Sequence, residues 1–188
     1  MQFQSPRADS SELLHLTPHE SVTVRERGPD RLVVEAIYAP GGSPPPAHFH
    51  PDQDERFEVT AGRLSVRLAG KERVLGPGDV LDVPRGVSHR MWNSCGEPAR
   101  AVWITEPAGR THDWFVVLDG LRRQGRVRRD GMPGPLAFGV YLTAYRDVFR
   151  LAGPQWLLRG ALALLAVLGR LRGYEAPRTA DSLDRKHI

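Results

Sequence analysis

The sequence predicts a mainly β chain in which a double-sheet sandwich or barrel, up to Pro107, is followed by about three α-helices. Three observations carry this prediction. Short runs of apolar residues alternate with polar ones at period two, the period of a half-buried strand. Gly- and Pro-rich turns interrupt these runs roughly every eight to twelve residues, the spacing of an all-β domain. Beyond Pro107 the apolar residues recur instead at intervals of three and four, which is the helical period.

The elements follow in order. Residues 1–19 read as an N-terminal arm whose first eleven residues are polar. Residues 21–27 alternate, with Val22 and Val24 on one face and Thr23, Arg25 and Arg27 on the other. Gly28-Pro29-Asp30 makes a turn. Residues 32–38 form a second strand with two rather apolar faces, as expected where one fills a barrel and the other meets a further layer. Short strands follow at 56–60, 64–68, 72–75 and 80–83, then a strand around His89, and a last one at 99–105. The barrel is thus expected over residues 20–107, a helical extension over 108–172 and a polar tail over 173–188. Within the extension, helices are expected at 111–121, 136–151 and 156–171, with Thr111 or Asp113 capping the first.

Two stretches carry the chemistry. In the first, His48 and His50 are two residues apart, so in a strand both imidazoles aim at one point. The run Pro44-Pro45-Pro46 just before them forbids a helix. Glu55 follows and heads a strand whose inward face continues with Phe57 and Val59. An inward carboxylate needs a partner, because burying a bare charge is expensive. In the second stretch His89 follows a Pro84-Arg85-Gly86 turn and shares its face with Val87, Met91 and Asn93. A lone His-x-His pair is common in β-proteins that hold no metal. Three histidines and a glutamate, all on strands, suit a mononuclear site for one divalent transition metal. Fe, Ni, Cu and Zn fit the imidazoles and the carboxylate adds Mn.

These stretches resemble the two signature motifs of the cupin superfamily. Gly42, His48, His50, Glu55 and Gly62 match the first at every position, and Gly78, Pro84, Gly86, His89 and Asn93 match the second. The resemblance covers about residues 30–107 and says nothing of the rest. It implies a jelly-roll barrel with His48, His50, Glu55 and His89 as metal ligands. It also implies a metal-dependent enzyme, dioxygenase-, isomerase- or decarboxylase-like, acting on a small organic molecule inside the barrel. Glu55 can double as a catalytic base by leaving the metal. Phe57 and Met91 are expected to line the cavity, whereas Glu35, Tyr38 and Trp103 face either the cavity or the outer surface. Asn93 reads as a turn or edge residue. The alternative from a different class is a non-catalytic metal- or ligand-binding, sensing protein whose C-terminal helices mediate association, since cupins serve both ends.

Composition narrows the partners. Charged residues are 26 % and hydrophobic ones 40 %, ordinary for a soluble globular protein. The net charge of +4 would suit a nucleic acid or a membrane, yet all but two of the 26 basic residues are arginine. With the abundant Ala, Gly and Pro this is a coding bias. The run Arg122, Arg123, Arg126, Arg128, Arg129 lacks aromatic interleaving and reads as a solvated face, so no nucleic-acid partner is expected. The one cysteine, Cys95, excludes an intrachain disulfide. No apolar leader run stands in the first twenty residues, and a cytoplasmic location is expected. Residues 156–171 are apolar nearly all round, and their longest charge-free run is too short for the roughly twenty residues a bilayer span needs. This helix is expected to pack on its neighbour and to complete a homodimer or close over the barrel, with a membrane surface the disfavoured partner.

Overall fold

The computed structural model describes residues 12–176; the beginning of the expected arm (1–11) and the end of the expected tail (177–188) lie outside the described residues. Ten strands precede the helices: β1 Leu13–Thr17, β2 Glu20–Arg27, β3 Leu32–Tyr38, β4 His48–Phe49, β5 Asp54–Ala61, β6 Leu64–Leu68, β7 Lys71–Leu75, β8 Val80–Val83, β9 His89–Trp92 and β10 Ala99–Glu106. After them come α1 Thr111–Arg123, α2 Pro135–Ala144, β11 Arg150–Leu151 and α3 Gln155–Leu171.

The strands form two antiparallel sheets, ordered β1-β2-β3-β10-β5-β8 and β11-β4-β9-β6-β7. The alternation read from the sequence is the alternation of burial. Leu32, Val34, Ala36 and Tyr38 of β3 are buried, as are Phe57 and Val59 of β5 and Leu81 and Val83 of β8. The core lies between the sheets and continues into α1 and α2 through Trp114, Phe115, Leu121 and Tyr145. Two motif glycines have clear steric reasons. A Cβ on Gly62, which has φ of +70°, would lie 2.3 Å from the Pro98 carbonyl oxygen. Gly86, with φ of +76°, turns the chain so that its N–H donates to the His50 carbonyl at 2.8 Å. That bond ties the second motif to the first. Asn93 is indeed a turn residue: its amide donates to the carbonyls of Tyr38 and Glu97, and its oxygen accepts from the Cys95 N–H.

Three elements differ from expectation. β1 is a strand inside what reads as an arm, with Leu14 and Leu16 buried and its register set on β2. The helix expected over 136–151 ends at Ala144. Arg110 stops it: the guanidinium donates to the Ala144 carbonyl at 2.6 Å, pairs with Asp147 and lies over the Tyr145 ring. The chain beyond turns over residues 145–148, and Arg150 and Leu151 then pair with β4. Neither Thr111 nor Asp113 caps α1, because the Thr111 hydroxyl accepts from the Gln53 side chain at 2.6 Å. No helix of the described residues is long and apolar enough to cross a membrane.

Candidate metal centre

His48 and His89 are cross-strand partners on β4 and β9, with ring centroids 4.4 Å apart. His50 follows β4 directly. One nitrogen from each ring can reach a common point, all three lying within 4.8 Å of one another. Glu55, on β5 in the opposite sheet, stands outside this three-histidine group but beside two of its members: its Oε2 is 3.3 Å from His50 Nε2 and 3.1 Å from His89 Nε2. His50, Glu55 and His89 are buried and His48 is half-buried.

The rings are held by their far nitrogens. Nδ1 of His48 lies 2.9 Å from the Pro46 carbonyl, that of His50 2.6 Å from the Val148 carbonyl and that of His89 3.2 Å from the Val87 carbonyl. A carbonyl only accepts, so each Nδ1 carries a proton, and Nε2 is the ring atom left to face the centre. Two buried atoms there, His50 Nε2 and Glu55 Oε2, have no hydrogen-bond partner. Buried polar atoms rarely stay unpaired, and a divalent cation between them would answer both. The residues therefore fit a metal of the imidazole–carboxylate class. Burial holds the His48 imidazole well below its ordinary value, with His89 and His50 adding to the effect. Burial pushes the Glu55 carboxyl up, but His50, His89 and the Trp103 N–H, which donates to Oε1 at 3.0 Å, more than offset it. Glu55 thus stays a carboxylate.

The three histidines open onto a cavity of about 110 Å³ whose other walls are mostly apolar. Phe57, Met91, Tyr38 and Trp103 are among the residues that line it. Trp103 stacks on Phe57 with centroids 5.1 Å apart. Glu35 faces outward to Arg25 and Arg100. A second, adjoining cavity of about 410 Å³ shares Glu20, Tyr38, Pro45, Pro46 and Met91 with the first.

Several relations within the site escape sequence reasoning. Glu20 and Tyr38 are cross-strand partners on β2 and β3, and the Tyr38 hydroxyl donates to the Glu20 carboxyl. Burial, with a smaller contribution from the charge of Glu55, raises the Glu20 carboxyl to about 7 against that hydrogen bond. The C-terminal extension supplies the others. Val148 orients His50, and Phe149 stacks on His48 with centroids 4.3 Å apart and planes 17° from parallel. α1 adds Trp114, Phe115 and Leu118 to the cavity wall. The helical period at 111–121 was a usable signal for that wall; Val148 acts through its backbone and has none.

Comparison with known proteins agrees with this geometry. Residues 34–105 match the family model described as "Cupin domain". Over 57 residues the chain is 40 % identical to an oxidoreductase of Arthrobotrys oligospora, the match covering 30 % of this chain and 22 % of that protein. Over 60 residues it is 39 % identical to the tetracenomycin polyketide synthase protein TcmJ of Streptomyces glaucescens, covering 32 % and 40 %. The matched part thus spans less than half the length of these curated relatives. Among solved structures, an RmlC-like cupin from Shewanella frigidimarina superposes with a TM-score of 0.49 at 19 % identity, covering 60 % of this chain and 96 % of that one. With both motifs complete, a double antiparallel sheet and the family match, residues 34–105 of this chain are a cupin domain.

Proposed function

We propose that this protein is a metal-dependent cupin enzyme that acts on a small, largely apolar organic molecule in the barrel, with dioxygenase-like chemistry as the first candidate. The observation that carries the reading is the convergence of three imidazoles at the wall of an apolar cavity, each ring fixed at Nδ1 by a carbonyl, with the buried Glu55 carboxylate beside two of them. His48, His50, Glu55 and His89 hold one divalent Fe, Mn, Ni, Cu or Zn ion. When bound, such an ion supplies a Lewis acid and a template for substrate oxygens, and dioxygen chemistry if it is redox-active. The residues around it do the rest. Phe57, Met91 and Trp103 exclude water and pack the substrate's apolar body. Glu55 holds a negative charge where a substrate proton is to be taken. Glu20, near neutrality and bonded to Tyr38, holds or releases a proton at the far side of the cavity. The oxidoreductase name of one relative supports a redox reaction.

The test is metal analysis of the purified protein, then dioxygen uptake with a panel of phenols, diketones and polyketide-like aromatics. Metal at about one per chain with uptake on an aromatic or enolic compound is the expected result. Metal without turnover on any of them would favour the binding and sensing alternative.

A further inference from the structure

α3 is covered on one side only. Its inner face sits tightly on α2: a Cβ on Gly169 would lie 2.6 Å from the Leu136 carbonyl oxygen, and one on Gly139 would lie 2.5 Å from the Leu165 side chain. The outer face carries Trp156, Leu157, Leu164, Val167, Leu168 and Leu171, with Trp156 75 % and Leu171 78 % exposed. At about 100° per residue these six fall within an arc of roughly 120°. This is one continuous apolar stripe along the whole helix, and such a stripe marks an interaction surface.

The charges beside the stripe decide what it meets. Arg159 and Arg170 are exposed and share one border of it, and Arg172 follows at the helix end. No aspartate or glutamate occurs from residue 155 to residue 174. The guanidinium of Arg126 lies 4.6 Å from the centroid of the Tyr174 ring, which brings the arginine-rich segment after α1 to the C-terminal end of α3. A two-fold contact between α3 helices would set Arg159 of one copy against Arg170 of the other with no carboxylate on either helix to offset them. At 17 residues the helix is also too short to cross a bilayer.

We propose that α3 lies flat on an anionic lipid surface, its leucines and Trp156 in the acyl–headgroup boundary and its arginines among the phosphates. The inference is independent of the metal centre, since none of the residues lining its cavity belongs to α3. The experiment is flotation of the full chain with phosphatidylglycerol–phosphatidylcholine vesicles, with phosphatidylcholine vesicles alone as the control and light scattering for oligomeric state. The protein is expected to float with the anionic vesicles only, and less at high salt. The exposed-face variant Leu164→Glu/Leu168→Glu should lower the partition coefficient at least roughly ten-fold, and Arg159→Gln/Arg170→Gln should lower it at least roughly five-fold. Both variants should keep wild-type metal content, which shows that the fold survives. Protein that stays in solution as a monomer overturns the proposal. So does a dimer that the Leu164→Glu/Leu168→Glu variant dissociates, in which case a second copy covers the stripe.

Discussion

The Nδ1 of His50 lies 2.6 Å from the carbonyl oxygen of Val148, 98 positions further along the chain. An imidazole of the barrel is thus aimed by a segment that follows the second helix. The same segment stacks Phe149 on His48 and adds β11 to the edge of β4. The residues after Pro107 are therefore part of the candidate centre as well as of the core.

Phe149→Ala should weaken metal binding even though every proposed ligand remains. Partners that orient ligands typically contribute ten- to hundred-fold in affinity, and the lower part of that range is expected here. A chain ending at Tyr145, which also lacks Val148 and β11, should lose more. Competition titration with a chromogenic chelator measures both.

His48→Ala and His89→Ala should each abolish stoichiometric metal, read by elemental analysis. His15→Gln and His112→Gln should not: the His15 N–H is bonded to Asp119 and the His112 ring to Glu12, away from the cluster. Equal metal loss in either control would mean that the protein binds ions nonspecifically.

Trp103→Phe keeps the stack on Phe57 but removes the donor to Glu55 Oε1. Glu55 is held below its ordinary value, so its carboxylate persists until the pH falls through that lowered value. Without the indole N–H the value rises and acid releases the metal earlier. The Trp103 N–H is one of the groups that lower the Glu55 carboxyl, so the release midpoint should move to higher pH, read by metal release on acid titration.

Glu20 behaves in the opposite sense. Its carboxyl is raised from 4.5 to about 7 in the fold. Between these values the unfolded chain gives up the proton while the folded chain keeps it, so stability falls as pH rises from 4.5 to 7 and stays lower above. Glu20→Gln should remove that decline and leave the variant with the higher melting temperature at pH 8. Parallel melting curves of variant and wild type across this window would contradict the raised value.

Gly169→Ala should push α3 off α2, because the new Cβ would meet backbone at 2.6 Å. A loss of roughly 1–3 kcal/mol is expected by denaturant unfolding, with metal content unchanged.

What was legible in the sequence was what local spacing determines. The i, i+2 step places His48 and His50 on one side, the turn at Gly86 returns His89 to them, and alternation in β3, β5 and β8 marks the core. Longer-range relations were not legible. Leu14 and Leu16 look like part of an arm until β2 lies beside them. Tyr141, Leu142, Tyr145, Val148 and Phe149 keep a helical period through Phe149, yet the Arg110 guanidinium takes the Ala144 carbonyl and the helix stops there. The Glu20–Tyr38 pair depends on strand register, and the contribution of Val148 is a backbone oxygen that every residue possesses.

β4 sits between β11 and β9 in its sheet, and this has a consequence for biosynthesis. During translation His48 and His50 leave the ribosome while residues 148–151 are still to be made. In that interval the His50 ring lacks its anchor, and the edge of β4 offers unpaired backbone groups to any passing strand. The candidate site takes its final form only once Leu151 has emerged. Its completion is therefore timed to the polypeptide beyond the barrel, and a ribosome stalled near Pro107 would display a barrel with an unanchored His50 and an exposed, sticky β4 edge.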